Sequence, residues 1–337
     1  MSTHLKNTDG AGAKLIRWLA MTFLAMHLGS GVAQAQNASP YPIKPIHLLV
    51  PYPPGGGTDS VARVLAERLG RELGQPVLVE NKTGAASTIA SNLTARATPD
   101  GYTIYAAPVS IVINPALQSK VGYDPYKDFQ PISMIMTSPF VLTINKDFKA
   151  KNINELLALV RANPNKYSIG TSGIGSINHL AAEYFIKTFD LKMTVIHYKG
   201  GPPALQDLFG GQIEMMFLAL PDALPAVKSG RTIGIAVSAE KRVALMPDLP
   251  TIDEASGSKG FDAVFWVALM TQAKVPEQVV ARLAAAMQVV GQDNALVTDM
   301  AQKGMDFRIT SADEVNKYML RDGEKWGQLI RDLAIKE

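Results

Sequence analysis

The stretch IHLLVPYPPGGGTDSVARVLAERL, residues 46–69, has the pattern of a buried strand, a glycine turn and an amphipathic helix. Ile46–Val50 is a short apolar run that predicts a strand, and the prolines and glycines of Pro53–Gly57 end it. Thr58 or Asp59 is then placed to cap a helix with apolar residues four apart on one face. The first N–H groups of a helix lack partners within it, and glycines allow close approach, so this unit predicts an anion-binding loop. The candidate binding residues are Gly55, Gly56, Gly57, Thr58 and Asp59.

A second glycine- and serine-rich loop, Ser172–Ser176, separates a predicted strand at Tyr167–Gly170 from a predicted helix at His179–Phe189. The hydroxyl groups of this loop add donors to those of the backbone. Each loop alone is also typical of a plain strand-to-helix turn. Two such loops that face each other could hold both ends of a dicarboxylate, or one carboxylate and its waters. The candidate residues here are Ser172, Gly173 and Ser176.

Short apolar runs alternate with amphipathic stretches through the rest of the chain, which predicts an α/β fold. Further strands are predicted at Val77–Glu80, Tyr102–Ala107, Val141–Ile144, Thr194–His197, Ile213–Phe217, Ile233–Val237 and Phe265–Met270. Further helices are predicted at Thr88–Ala97, Ile153–Ala162 and Pro276–Val290, with a final helix that Ser311 and Glu314 begin as a capping box. The segment after Pro250 is predicted to be a loop.

The composition predicts a globular protein and excludes several functional classes. The chain has 337 residues, 47% hydrophobic and 19% charged, with a net charge of +3. No basic patch or nucleic-acid-binding signature stands out, so nucleic acid is not expected as a partner. The sequence contains no cysteine, which excludes a disulfide framework, a thiolate metal site, a cysteine nucleophile and a lipoprotein anchor.

The N-terminus has the three parts of a secretory signal peptide. Lys14 and Arg17 form a positive region, Trp18–Met26 is a short apolar run, and Ala33–Ala35 has the small residues that signal peptidase needs. We predict a signal peptide over residues 1–35, cleaved after Ala35, and a periplasmic location; a membrane anchor is the alternative. No later run reaches the roughly 18 apolar residues of a transmembrane helix.

Two further loops and one histidine are candidates for the same site. One loop follows the predicted strand at Thr194–His197 and contains a lysine that could offer positive charge, although a solvated surface lysine is the alternative. The other precedes the predicted helix at Thr88–Ala97 and could equally be a plain turn. His179 could donate to a ligand or pack within its helix. The residues added to the candidate site are Tyr198, Lys199, Gly200, Ala86, Ser87 and His179.

No enzymatic constellation accompanies these loops. Ser172 resembles a serine nucleophile only superficially, because no Gly-x-Ser-x-Gly elbow is present and no histidine and aspartate can be paired with it. The histidines beyond residue 35 are His47, His179 and His197, and none has metal-binding spacing. The chain is therefore expected to be no enzyme and to hold neither a metal nor a cofactor.

An ordered set of short motifs runs through nearly the whole chain after residue 40. The motifs are Tyr41–Ile46, Pro51–Asp59, Gly74–Val77, Val79–Asn81, Pro99–Thr103, Asn114–Leu117, Tyr123–Pro125, Lys127–Phe129, Ser172–Gly173, Gly175–Ser176, Tyr198–Gly200, Gly210–Gln212, Pro247–Asp248 and Pro250–Thr251. In this order, the set resembles the Bug-type receptors, which are extracytoplasmic solute receptors of tripartite tricarboxylate transporters.

The strand and helix pattern predicts two α/β lobes, one over residues 36–138 and 261–337 and one over 139–260. The resemblance implies that they form a type II-like periplasmic-binding-protein fold with the ligand cleft between the lobes. It also implies that the loops Gly55–Asp59 and Ser172–Ser176 bind a carboxylate mostly through backbone groups and ordered waters. Two integral-membrane transporter subunits are the implied partners, and we expect a monomeric receptor.

Two alternatives stay open at this point. A periplasmic receptor that signals to a membrane sensor kinase would use the same closed form as a transport receptor. A secreted hydrolase would turn over an ester or amide and lose activity in Ser172→Ala.

The ligand class is suggested by one departure from the family pattern. Many relatives carry Asp or another polar residue directly after a Met-Phe pair, whereas this chain has Leu218 after Met216 and Phe217. With no carboxylate expected there to meet an ammonium group, the sequence favours a less polar ligand over an amino acid. We predict an aromatic carboxylate such as terephthalate or a related benzoate, with Tyr52 and Phe140 as flat apolar walls.

Overall fold

The apolar run Ile46–Val50 forms strand β1, which pairs in parallel with β2 (Val77–Asn81) and β3 (Thr103–Pro108). The computed structural model describes residues 41–336, and the described residues from Pro42 onward form one unit of tertiary structure. The predicted signal peptide and its cleavage site after Ala35 lie outside the described residues.

The strands form one mixed sheet, which contains both parallel and antiparallel pairs. The remaining strands are β4 (Phe129–Asn145), β5 (Ser168–Thr171), β6 (Thr194–His197), β7 (Met215–Ala219), β8 (Thr232–Val237), β9 (Val264–Gln272) and β10 (Asp306–Phe307). Their order is β2-β1-β3-β9-β4-β7-β5-β6, and β8 and β10 also pair with β4. The parallel pairs join β1 to β2 and β3, and β5 to β6 and β7.

Strand β4 is shared by two portions of this sheet. Its residues Phe129–Pro139 pair with β9, and Phe140–Ile144 pair with β7. We call β1, β2, β3, β9 and β10 the first portion, and β5, β6, β7 and β8 the second portion. The sequence predicted only Val141–Ile144 of β4 as strand, so this strand is much longer than expected. The partner change at residues 139–140 lies beside the predicted lobe boundary at 138–139, which stays a prediction.

Helices follow most of the strands. They are α1 (Gly57–Leu73), α2 (Thr88–Ala95), α3 (Ser110–Leu117), α4 (Ile153–Ala162), α5 (Ile177–Thr188), α6 (Gly201–Gly210), α7 (Leu220–Lys228), α8 (Ile252–Ser256), α9 (Glu277–Gly291), α10 (Asn294–Gln302) and α11 (Ala312–Asp332). A 3₁₀ turn at Ala85–Ser87 precedes α2. No helix within residues 41–336 combines the length and apolarity needed to cross a bilayer.

The topology collects the starts of several helices in two groups, one in each portion of the sheet. Helices α1 and α3 follow the parallel strands β1 and β3, and α5, α6 and α7 follow the parallel strands β5, β6 and β7. Parallel strands end at the same edge of a sheet, so within each portion these helices begin at one edge. The parallel strands of the two portions run in opposite directions, because β3, β9, β4 and β7 are joined by antiparallel pairs, and β3 and β7 both end beside residues 136–140 of β4.

Two predictions about helix starts are wrong in detail. The N-cap of α1 is Gly56 rather than Thr58 or Asp59, and both of these residues lie in the first turn. The segment after Pro250 is a short helix instead of a loop, because Thr251 and Glu254 form a capping box. At α11, Ser311 accepts the N–H of Glu314 as predicted, but the Glu314 carboxylate pairs with Arg308 instead of completing the capping box.

The final helix α11 packs on the first portion of the sheet. Its buried side chains include Trp326, and its Asp322 accepts a hydrogen bond from the indole nitrogen of Trp266 at 2.6 Å. The ion pair between Lys187 and Asp332 ties α11 to α5 of the second portion. The two portions are therefore connected on this side as well as through β4.

Candidate functional site

A cavity of about 850 Å³ lies where helices of both sheet portions begin. The predicted site residues that line it are Tyr52, Gly56, Gly57, Thr58, Ala86, Phe140, Ser172, Gly173, Ser176 and Gly200. The predicted site residues outside its lining are Gly55, Asp59, Ser87, His179, Tyr198 and Lys199. The cavity thus brings together the β1–α1 loop of the first portion and the β5–α5 loop of the second portion.

The β1–α1 loop presents the start of α1 to the cavity. Gly57 and Thr58 are the first residues of α1, and the N-cap Gly56 is extended, with φ −75° and ψ 167° and no capping side chain. A Cβ atom on Gly56 would meet only the carbonyl oxygen of Pro53, at 3.7 Å. The first N–H groups of α1 have no partner within the helix, so they can serve an anion in the cavity.

Asp59 stabilises this loop from a buried position outside the lining of the cavity. It is 2% exposed, and its carboxylate accepts hydrogen bonds from Gly55 N at 2.9 Å, Arg63 Nε at 2.9 Å and Asn81 Nδ2 at 2.8 Å. Burial alone would raise the pKa of Asp59, but the hydrogen bonds from Arg63, Gly55 and Asn81 lower it. Asn81 also donates to the carbonyl oxygen of Tyr52 at 2.9 Å. Asp59 is therefore a structural residue of the loop, because its acceptor positions already have partners.

The β5–α5 loop is fixed by its own polar groups. The Ser176 hydroxyl lies 2.6 Å from both the Gly173 carbonyl oxygen and Asn178 Oδ1. Ser172 Oγ donates to the same Asn178 oxygen at 2.7 Å. Gly173, with φ +132°, and Gly175, with φ +73°, have backbone conformations that favour glycine. The loop therefore requires glycine at these positions to turn into α5 beside the cavity.

His179 supports this loop from beneath and does not line the cavity. It is 2% exposed, and its Nδ1 accepts the Gly175 N–H at 3.0 Å. Its ring meets that of His197 edge-on, with centroids 4.6 Å apart. Burial, together with the neighbouring His179, lowers the pKa of His197. The structure therefore places His179 against the loop, packed within the protein and outside the lining of the cavity.

The β6–α6 loop contributes backbone rather than side chains. Gly200 and Gly201 line the cavity at the start of α6, and Gly200 N donates to the Ser172 carbonyl oxygen at 3.1 Å. The Tyr198 hydroxyl donates to Asp207 Oδ2 at 2.7 Å. Lys199 is exposed to solvent. Neither of these two side chains reaches the lining.

The loop before α2 is strained where it meets the cavity. Ala85, Ala86 and Ser87 have φ values of +45°, +48° and +79°, which L-residues rarely adopt. Asn114 Nδ2 donates to the Ala86 carbonyl oxygen at 2.7 Å, and Ser87 Oγ lies 2.6 Å from Ser110 Oγ. These contacts from α3 hold Ala86 in the cavity wall and turn Ser87 away from it.

Aromatic side chains form part of the wall. Tyr52, Phe140, Phe217 and Phe265 all line the cavity, and the rings of Tyr52 and Phe265 are tilted with centroids 6.4 Å apart. Burial raises the pKa of Tyr52 to about 12, so its hydroxyl is a neutral hydrogen-bonding group. The wall therefore suits flat or aliphatic ligand surfaces.

Several helix starts contribute to the electrostatic character of the cavity. The lining includes residues from the first turns of these helices, among them Gly57 and Thr58 of α1, Ser110 of α3, Ile177 of α5, Gly201 of α6, and Pro221 and Asp222 of α7. Each helix N-terminus carries a partial charge of about +0.5. No lysine or arginine of the described chain is among the lining residues. The cavity can therefore attract an anion through backbone dipoles and hydroxyl groups.

Several lining residues were not predicted. They include Ser110, Asn178, Asp222, Phe265 and Met305. Ser110 and Asp222 each stand in the first turn of a helix after an apolar strand, and this sequence signal could have found them. The expectation that no carboxylate faces this part of the site is wrong, because Asp222 lines the cavity. Phe265 and Met305 come from distant parts of the chain, and their local sequence carries no such signal.

The geometry does not support serine hydrolysis or a metal site. The Ser172 hydroxyl bonds to Asn178 rather than to a histidine, and His179 is occupied by Gly175. Within residues 41–336, no group of three or more acidic, histidine or cysteine side chains is placed to hold a metal ion.

Comparison with known proteins identifies similar sequences along most of the chain. The family described as "Tripartite tricarboxylate transporter family receptor" matches residues 61–335. Protein BugT of Bordetella pertussis (strain Tohama I) is 31% identical over 309 residues, which cover 91% of this chain and 94% of that protein.

Solved structures share the fold. The periplasmic binding protein BugD has a TM-score of 0.75 and 34% identity, over 88% of this chain and 100% of that one. Rpa4515 of R. palustris, solved with adipate, has a TM-score of 0.78 and 27% identity, over 88% of this chain and 100% of that one. These similarities confirm the predicted α/β periplasmic-binding-protein fold.

Proposed function

We propose a function for this chain from its family, since it belongs to the tripartite tricarboxylate transporter receptor family. In this proposal, the protein captures a small organic carboxylate in the periplasm and delivers it to two integral-membrane transporter subunits. Membership confirms the resemblance of the sequence motifs and the expectation of a receptor rather than an enzyme. The relative Rpa4515 was solved with adipate, which supports a carboxylate as the ligand class.

One observation carries the proposal. The start of α1 and the β5–α5 loop line the same cavity although they belong to different portions of the sheet. A carboxylate between them would receive hydrogen bonds from both sides, and each bond to a charged group is worth about 1.5–3 kcal/mol. Backbone donors are fixed by the fold, so little conformational entropy is lost when the ligand binds.

The aromatic wall supports the finer proposal that the ligand is an aromatic carboxylate related to benzoate. Tyr52, Phe140 and Phe265 can pack against a planar ring. A cavity of about 850 Å³ lies in the usual range of small-molecule sites, roughly 300–1,000 Å³.

Thermal-shift and calorimetric screens test the proposal. Matched pairs such as benzoate and benzamide, or adipate and adipamide, separate recognition of the carboxylate from recognition of the carbon skeleton. We expect only the acids to stabilise the protein, by about 2.7 kcal/mol at about 100 times Kd. Equal stabilisation by acids and amides would refute carboxylate recognition. Tight binding of aspartate or citrate with none of aromatic acids would refute the aromatic part alone.

A further inference from the structure

Asp222 is the one charged side chain among the cavity-lining residues of the described chain. It lies in the first turn of α7, directly after β7. Its side chain is exposed, and Leu218, Ala219 and Pro221, which precede it in the chain, also line the cavity. A carboxylate therefore faces a cavity whose other lining groups are neutral.

The Asp222 carboxylate has no partner within residues 41–336. The N-cap of α7 is Ala219, and no side chain caps this helix. No ion pair or side-chain hydrogen bond to Asp222 is present in the described chain, in contrast to Asp59, whose carboxylate accepts three hydrogen bonds. Asp222 is therefore not needed to hold its own loop, and its exposed carboxylate is free to accept hydrogen bonds from water or from a ligand in the cavity.

The surroundings of Asp222 favour the binding of a cationic group beside its carboxylate. The protein around the cavity removes part of the hydration of the carboxylate, and this raises the pKa of Asp222. A cationic ligand group would restore the lost interaction, whereas a second ligand carboxylate would meet a like charge in a site of reduced dielectric. No other residue that lines the cavity in the described chain is charged. The lining therefore supplies neither a cation to pair with Asp222 nor a second carboxylate.

Resting on the carboxylate site proposed above, we infer that Asp222 sets the specificity of the cavity: it selects ligands that carry a cationic nitrogen besides their carboxylate and disfavours ligands with a second carboxylate. The helix starts bind the carboxylate, and Asp222 binds the cation. The ligand class is thus a zwitterionic monocarboxylate, on an aromatic or aliphatic skeleton.

Two matched ligand sets isolate this effect by calorimetry. The aromatic set is 4-(aminomethyl)benzoate, 4-methylbenzoate and terephthalate; the aliphatic set is 6-aminohexanoate, hexanoate and adipate. Within each set the skeleton and the first carboxylate stay constant, and the far end changes from cationic to neutral to anionic. The proteins are the wild type, Asp222→Asn, and Asp147→Asn as control, since Asp147 is an exposed acidic residue outside the cavity that pairs with Lys146.

In at least one set, the wild type should bind the cationic member tightest and the dianion weakest. Asp222→Asn should weaken the cationic member by about tenfold or more, because a charge-assisted hydrogen bond is lost. The same variant should bind the dianion more tightly and leave the neutral member unchanged. Asp147→Asn should reproduce the wild-type order. Unchanged melting temperatures of the ligand-free variants verify that both fold.

An identical ligand order in the wild type and in Asp222→Asn would overturn the inference, as would tightest binding of a dianion by the wild type. In either case, binding of the neutral members would leave the proposed carboxylate receptor intact. Failure of all six ligands to bind the wild type would overturn the proposed function and the inference together.

Discussion

Replacement of Gly56 by aspartate places a carboxylate at the N-cap of α1, where the ligand carboxylate is proposed to bind. Gly56 has φ −75°, which an L-residue adopts without strain, and a Cβ atom would meet only the Pro53 carbonyl oxygen at 3.7 Å. The variant should therefore fold normally. Asp is also a favoured N-cap residue, so the new side chain would occupy the N–H groups that an external anion needs.

The loss of affinity follows from Coulomb repulsion. Two like charges about 5 Å apart at an effective dielectric constant of about 20 repel each other by about 3 kcal/mol, which corresponds to about 200-fold in Kd. Competition for the N–H groups adds to this value. Calorimetry with the tightest carboxylate from the screen should therefore detect little or no binding.

Two further glycine variants serve as a matched pair. Gly201→Asp adds the same charge on the opposite wall, at a position where a Cβ atom has open space, and it should weaken binding to a similar degree. Gly210→Asp lies at the far end of the same helix, outside the cavity, and should bind like the wild type. Gly173→Asp should also abolish binding, but its φ of +132° and the Tyr198 carbonyl oxygen 3.3 Å from its Cβ position add strain.

Wild-type affinity in both Gly56→Asp and Gly201→Asp would refute the assignment of the carboxylate to the helix starts. Loss of affinity in Gly210→Asp as well would show that an added negative charge acts at a distance, and not through the site.

Three further predictions concern charged residues around the cavity and in the core. Lys199→Ala should change Kd by no more than about threefold, because an exposed charge outside the lining is screened by water. Asp59→Asn should lower the free energy of unfolding by about 2 kcal/mol in urea titrations, since an amide donor would face the donors Gly55 N and Arg63 Nε; unchanged stability would contradict the structural role of Asp59. Burial lowers the pKa of Lys325 from 10.5 to about 8, so unfolding takes up a proton between these values and stability rises with pH. Between about pH 8 and 9.5 the gain should be about 1.5 kcal/mol, and it should be absent in Lys325→Met.

The sequence predicts the two loops that line the cavity because their signals are local. Strand, glycine turn and helix follow each other within about a dozen residues in both Leu48–Ser60 and Ser168–His179. The predicted N-cap of α1 was wrong because the Asp59 carboxylate, which could cap a helix locally, instead accepts hydrogen bonds from Arg63 and from Asn81 at the end of β2. A tertiary partner thus decided between two locally acceptable helix starts.

Strand β4 shows where local patterns fail. It contains Pro131 and Pro139, and proline normally argues against a central strand because it lacks the N–H donor. The register with β9 shifts between Pro131 and Ser133, and β4 changes partners next to Pro139. Both prolines therefore stand where the regular ladder is already interrupted. The sequence alone does not reveal which strands pair at these points, so only Val141–Ile144 was predicted.

Both portions of the sheet present a helix start that can attract an anion, but different side chains support these two helix starts. In the second portion, Asn178 and His179 hold the β5–α5 loop, and the first turn of α5 contains no acidic residue, so no local carboxylate offsets the positive end of this helix. In the first portion, the negatively charged Asp59 lies in the first turn of α1 and would offset the helix dipole. Arg63 pairs with Asp59 at 2.9 Å and neutralises it, which leaves the α1 start attractive to an anion. Asp222 in α7 lacks such a pair, so one of the helix starts carries an uncompensated negative charge, and this asymmetry is what favours a ligand with opposite charges at its two ends.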